Sequence, residues 1–175
     1  MLETATGAID WAVQAGGASS DNHIGSRFGI VHDGAGGALV TGYFSGEASF
    51  GLTSLTSRGE FDAFVMHVTA SGAIDWAIQA GGAFSDGGYG IAYDGAGGAL
   101  VTGSFYSNAS FGLTSLTSSG EYEHAFVMHV ASSGVIDWAI QVSGTSSSQG
   151  LGITYDGAGG ALVTGYFSGE ASFGS

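Results

Sequence analysis

Asp33-Gly34-Ala35-Gly36-Gly37-Ala38-Leu39-Val40-Thr41-Gly42 recurs without change from Asp94 to Gly103 and from Asp156 to Gly165, the copies starting 61 and 62 residues apart. Upstream of each copy runs a second constant phrase. Gly7-Ala8-Ile9-Asp10-Trp11-Ala12 returns at Gly72 to Ala77 and, with Val for Ala, at Gly134 to Ala139, so that the tryptophans lie 65 and 62 residues apart. A period of this length means one supersecondary unit stacked on copies of itself, none able to bury its apolar faces alone.

Composition sets the class of that unit. Thirty-four glycines, no proline and no cysteine in 175 residues, with a mean hydropathy of +0.28, describe short apolar segments cut by glycine turns. Helices of any length are not expected, and wholesale disorder is disfavoured by the apolar content. No run approaches the roughly 18 to 20 apolar residues of a spanning helix. Without cysteine there are no disulfides, thiolate chemistry or cysteine-held metals, and the redox compartment stays undetermined. Fifteen carboxylates face only Arg27 and Arg58, a net charge of −13. Such a surface repels phosphate backbones and anionic membranes, which excludes nucleic acid as an expected partner. The acidity keeps a glycine-rich β protein soluble, or else suits a salty or calcium-containing extracellular setting.

Each period holds four extended segments. The first is Gly29 to Asp33, matched at Gly90 to Asp94 and Gly152 to Asp156; the second is Ala38 to Phe44, matched at Ala99 to Phe105 and Ala161 to Phe167. Ala63 to Val68 is the third, repeated at Ala125 to Val130. The fourth is Ala73 to Gln79, with counterparts at Ala8 to Gln14 and Val135 to Gln141. Bounded by Gly, Ser, Asp or Asn, all read as strands. In the third segment Phe64, Met66 and Val68 share one face, and the face of Ala63, Val65 and His67 is also largely apolar. A sheet with one wet side would alternate cleanly, so this pattern predicts sheets covered on both faces, as in radially stacked blades.

Asp62-Ala63-Phe64-Val65, then Ala70-Ser71-Gly72, Trp76-Ala77, Gly81-Gly82, Ser85-Asp86, Tyr89-Gly90-Ile91, Tyr93-Asp94 and Val101-Thr102-Gly103 resemble the SBBP repeat, a β-propeller repeat found mainly in secreted and surface proteins of bacteria. The resemblance covers nearly the whole chain. It implies four-stranded blades around a central channel, the first segment innermost and the tryptophan segment outermost, and it implies no catalytic residues. His67 and His129 stand where that repeat usually carries a basic residue.

The expected fold is therefore all-β, a partial β-propeller of about three four-stranded antiparallel blades in an open arc. One repeat array fills 1–175, with whole blades at 29–79 and 90–141. A partial blade at 1–14 holds the end of a third strand plus an outermost strand, and another at 152–175 holds two inner strands. Half blades at both ends and no secretory signal after Met1 point to a fragment of a larger protein. Open edges would recruit partners, a second copy among them.

The recurring polar residues have structural readings. Asp33, Asp94 and Asp156 each head a glycine turn, where a carboxylate bonds nearby amides. A threefold calcium ring from them is the rival reading, disfavoured because no second acid follows at loop-ligand spacing. No other cofactor is expected. His67 and His129 are expected to pack or to hydrogen-bond between blades, Asp10, Asp75 and Asp137 to discourage sheet addition at an outer edge, and the tryptophans to cover blade interfaces. Asn108 replaces Glu47 and Glu170 and reads as ordinary variation.

Variation is more pointed than constancy. The link from fourth to first strand runs Gly16 to Phe28 in one copy, Gly81 to Tyr89 in the next and Gly144 to Leu151 in the third. Asp21, His23 and Arg27 in the longest, with Asp86 and Tyr89, form the expected ligand-recognition surface. Nucleophile elbows, zinc-binding helices, phosphate loops and EF-hands are all missing. The expected role is non-catalytic, binding a protein or glycan or serving an adhesive structure at a cell surface or in a secreted protein. The alternative is a propeller hydrolase acting on polysaccharide through carboxylates such as Asp21 and Asp86.

Overall fold

The computed structural model describes residues 2–3, 9–17, 27–118 and 122–172. All regular structure among them is β. The strands are β1 (Leu2–Glu3), β2 (Ile9–Trp11) and β3 (Ala15–Gly16); β4 (Gly29–His32), β5 (Ala38–Phe44), β6 (Glu47–Phe50), β7 (Thr53–Thr56), β8 (Asp62–Val68) and β9 (Ile74–Gly82); β10 (Gly87–Tyr93), β11 (Ala99–Tyr106), β12 (Asn108–Phe111), β13 (Thr114–Thr117), β14 (Glu123–Val130), β15 (Ile136–Gln141) and β16 (Ser143–Gly144); and β17 (Ser148–Tyr155), β18 (Ala161–Phe167) and β19 (Ala171–Ser172). They form open antiparallel sheets.

Two antiparallel meanders, β4-β5-β8-β9 and β10-β11-β14-β15, correspond to the four segments of each period. Their first turn is written in the Asp-Gly-Ala-Gly-Gly phrase. Asp33 Oδ1 accepts the N–H groups of Ala35 and Gly37, both at 2.8 Å, while Gly34 and Gly36 take φ of 79° and 95°. Only glycine adopts that backbone cheaply. Asp94 and Asp156 repeat both bonds at 2.7 and 2.8 Å.

The long segment between second and third strands, read from sequence as a link, folds into a further hairpin. β6–β7 and β12–β13 each turn on two residues, Gly51 and Gly112 supplying φ of 64° and 62°. The hairpin joins successive repeats. Gly81 and Gly82, at the end of β9, pair with Ser110 and Ala109 of the following hairpin, extending one sheet to six strands. Ala15–Gly16 pairs with β6, and Ser143–Gly144 with β19, in the same manner. Each hairpin also delivers a phenylalanine to the core. Phe50 lies 5.7 Å from Phe44 and 5.0 Å from Phe64, and Phe111 lies 5.8 Å from Phe105 and 4.8 Å from Phe126.

Sheets of successive repeats pack face to face, which buries both sides of the central strands. In β8 every residue but His67 is buried, and in β11 every residue but Tyr106. β10 packs on β4 and β5 on one side and on β17 on the other. Glycine permits the approach: a Cβ on Gly90 would meet the Leu151 carbonyl at 3.1 Å, and one on Gly29 would meet the Ile91 side chain at 2.9 Å. The tryptophans tie the fourth strand of one repeat to the next repeat. Trp11 Nε1 donates to the Ala70 carbonyl at 3.0 Å and Trp76 Nε1 to that of Ser132 at 3.1 Å, each in the turn of the next repeat. Their rings lie against Gly72 and Gly134, where a Cβ would intrude.

Candidate functional site

Both ends of the meanders carry ordered polar side chains, and they differ in kind. At the end marked by the glycine turns, His67 Nε2 lies 2.9 Å from Asp33 Oδ2 and Nδ1 lies 2.7 Å from Asp75 Oδ1. His129 repeats the bridge with Asp94 at 3.0 Å and Asp137 at 2.9 Å. The indole rings of Trp76 and Trp138 stack on the two imidazoles at 5.8 and 6.0 Å. These bridges correct two expectations. Each histidine joins the first turn to the fourth strand of its own repeat, not one repeat to the next, and Asp75 and Asp137 are its partners rather than bare edge charges. The reason is register: His67 stands opposite Trp76 across β8 and β9, one residue from Asp75.

A chain of neighbouring charges sets the protonation of this end. Burial alone would raise Asp33, but the His67 hydrogen bond and the amides of Ala35 and Gly37 outweigh it and bring its carboxyl to about 2. Burial works against the charged form of His67, while Asp33 and Asp75 more than compensate and raise its pKa. With both ring nitrogens facing carboxylates, the imidazolium is the form that satisfies the site. Among the described residues no three His, Asp or Glu side chains are grouped to hold a metal ion.

The opposite end contains a cleft of about 380 Å³ whose lining includes Arg27, Tyr43, Phe61, Asp86, Tyr89, Tyr106, Glu123 and Gln149. Three successive fourth-to-first links converge there. Arg27, from the first, has its guanidinium 5.1 Å from the centre of the Tyr89 ring, from the second, and donates to Gln149 Oε1, from the third, at 2.9 Å. Arg27, Asp86 and Tyr89 thus share one cavity. Asp21 and His23 lie outside the described residues.

Carboxylates in the cleft are held by protein donors. Glu123 Oε1 accepts from Gln149 Nε2 at 2.7 Å and from the Tyr166 hydroxyl at 3.2 Å, and its Oε2 accepts from Ser104 at 3.0 Å. Ser104 in turn lies 3.0 Å from the Tyr89 hydroxyl. Asp86 is 3% exposed and accepts from Gly82 N at 2.6 Å and Tyr106 N at 2.9 Å, tying the end of β9 to the end of β11. Burial pushes the Asp86 carboxyl up to about 7 against those two amides, and the nearby charge of Asp62 adds to the rise while Arg58 opposes it. Asp62, fully buried, is likewise raised by burial, although Arg58 N and Gln79 Nε2 both donate to it at 3.1 Å.

Sequence reasoning passed over Tyr43, Phe61, Tyr106, Glu123 and Gln149. The signal that finds them is divergence between copies. Tyr106 stands where Ser45 and Ser168 do, Glu123 where Phe61 does, Gln149 where Gly87 does and Asp86 where Ser148 does. Arg27 itself replaces Gly88 and Gly150. At the other end the same alignment shows Asp33, Asp94 and Asp156 unchanged.

A scan against protein families and a search of the curated proteins both return no match.

Proposed function

We propose that this chain is a β-propeller-type repeat array, of the kind the SBBP resemblance implies, that binds a ligand without turnover in the cleft around Arg27, Tyr89 and Gln149. The reading places the protein in a secreted or cell-surface setting. The propeller arrangement is supported by four-stranded meanders packed face to face, by glycine contacts between successive first strands and by tryptophans that tie the fourth strand of one repeat to the next repeat. One observation carries the binding role: side chains from three successive links meet at one cavity, at positions where otherwise near-identical copies disagree. A scaffold needs no such divergence at one end, whereas a recognition surface does.

Non-catalytic binding is favoured over polysaccharide hydrolysis because both oxygens of Asp86 and both of Glu123 already accept hydrogen bonds from the protein. The hydrolase reading draws on the same pair, since a carboxyl raised to about 7 suits a general acid. Arrays of soluble oligosaccharides and synthetic peptides separate the two. Retention of a probe without product, lost on Tyr89→Ala and Tyr106→Ala, is the expected result; release of reducing sugar that Asp86→Asn abolishes would replace binding by hydrolysis.

A further inference from the structure

We propose that the cleft receives the guanidinium or ammonium group of a basic peptide, and that Arg27 occupies part of it as a tethered stand-in for that group. This rests on the binding reading above and adds the chemistry of the ligand.

Charge points to a cation first. The chain carries fifteen carboxylates against two arginines, and Asp86 and Glu123 line the cleft while Glu60 reaches its rim, accepting from Ser85 at 2.7 Å. A concave site with that balance concentrates cations and repels anions. The walls suit a cation as well. Tyr43 and Phe61 meet edge to face at 5.3 Å and 83°, and Tyr89 and Tyr106 complete an aromatic lining, whose ring faces attract a positive group.

Hydrogen-bond capacity distinguishes a cation from a sugar. A neutral oligosaccharide is oriented by directed donors and acceptors. Here Glu123, Gln149, Tyr89 and Ser104 are bonded to one another, and Asp86 to backbone amides. A guanidinium or ammonium needs chiefly negative potential and ring faces, and those are what the cleft retains. Arg27 already demonstrates the fit. Its guanidinium stacks on Tyr89 and donates to a neutral amide oxygen rather than to a carboxylate.

The purified chain would be titrated calorimetrically with acetyl-Gly-Arg-Gly-amide, with its citrulline counterpart and with maltotetraose. The arginine peptide is expected to bind, the citrulline peptide to bind roughly tenfold more weakly because it keeps the shape and loses the charge, and the sugar not to bind. Arg27→Ala should tighten the arginine peptide by about threefold, since it removes an internal competitor. Tyr106→Leu, which keeps apolar bulk without the π face, should weaken it while leaving the circular dichroism spectrum unchanged. Equal affinity for the two peptides, loss of peptide binding on Arg27→Ala, or binding of the sugar alone would each overturn the cationic ligand and leave the binding role standing. Failure of every peptide and oligosaccharide to bind would overturn both.

Discussion

Residues 33–49 and 156–172 are the same seventeen-residue sequence, yet the structure treats them as a core and as a surface. Locally they are twins. Both pair Ala38 or Ala161 with the residue before the aspartate, both place two glycines at positive φ, and both aspartates bond the amides two and four residues on. Burial separates them: Leu39 is 0% exposed and Leu162 64%, Phe44 0% and Phe167 52%. β5 is hydrogen-bonded to β8 and covered by β10, whereas among the described residues β18 pairs with β17 alone. Identical residues thus specify the hairpin, and neighbouring strands specify which of their side chains count as core.

Substitution of the paired phenylalanines gives the largest test. Phe44→Ala should cost about 3 to 5 kcal/mol of unfolding free energy, as a cavity opens beside Phe50 and Phe64, while Phe167→Ala should cost under about 1 kcal/mol. Urea denaturation of the two variants measures this directly, and equal losses would mean that residues 156–167 are covered in solution.

The paired aspartates come next. Asp33 is joined to His67, whereas Asp156 is bonded only to the amides of its own turn among the contacts described. Asp33 sits at about 2 in the folded chain against an ordinary 3.8, so its contribution of about 2 kcal/mol is present above pH 4 and lost as pH falls toward 2. His67, raised in the folded chain, contributes fully below pH 6.5 and loses its contribution as pH rises through the raised value. Asp86 acts in the same direction, because a carboxyl raised to about 7 binds its proton more tightly folded than unfolded and so costs stability as pH climbs from 4 to 7. Stability should accordingly peak near pH 4, where Asp33 is ionised and Asp86 still protonated, and decline as pH rises toward 7 and beyond. Asp33→Asn should flatten the acid limb of a thermal melting series and Asp156→Asn should flatten it less; a maximum above pH 8 would contradict the assignment.

The tryptophans sharpen the contrast least but most locally. Trp76→Phe removes a hydrogen bond to the Ser132 carbonyl of the next repeat and should cost about 1 kcal/mol. Trp138, 37% exposed, stacks on His129 within its own repeat, and Trp138→Phe should cost less. Tryptophan fluorescence during urea unfolding reports both, and a larger loss at Trp138 would count against the junction as the site of the effect.

Much of the strand layout was legible because the copies are so alike. Alternation in Ala63 to Val68 with both faces apolar anticipated a doubly covered strand, and the Asp-Gly-Ala-Gly-Gly phrase anticipated its turn, since a short carboxylate and two glycines leave few other backbone solutions. The hairpins β6–β7 and β12–β13 escaped notice. Thr53-Ser54-Leu55-Thr56 is short and half exposed, and its pairing depends on Gly51 at the tip and on a strand end from the preceding repeat. The cleft was partly foreseen through Arg27, Asp86 and Tyr89, whereas Glu123 and Gln149 were marked in the sequence only by their divergence from the other copies, and folding was needed to bring them to Arg27.

From the sequence alone came the period, the order of the four meander strands within it and the chemistry of the first turn, because these follow from side-chain alternation and from glycine's access to positive φ over a few neighbouring residues. Tertiary structure decided which copy of an identical segment is buried, that His67 and His129 are each held between two carboxylates of their own repeat, and that Arg27 meets Tyr89 and Gln149 at one cavity. Burial, charge coupling and cavity shape depend on atoms close in space and far apart along the chain, and no local pattern encodes them.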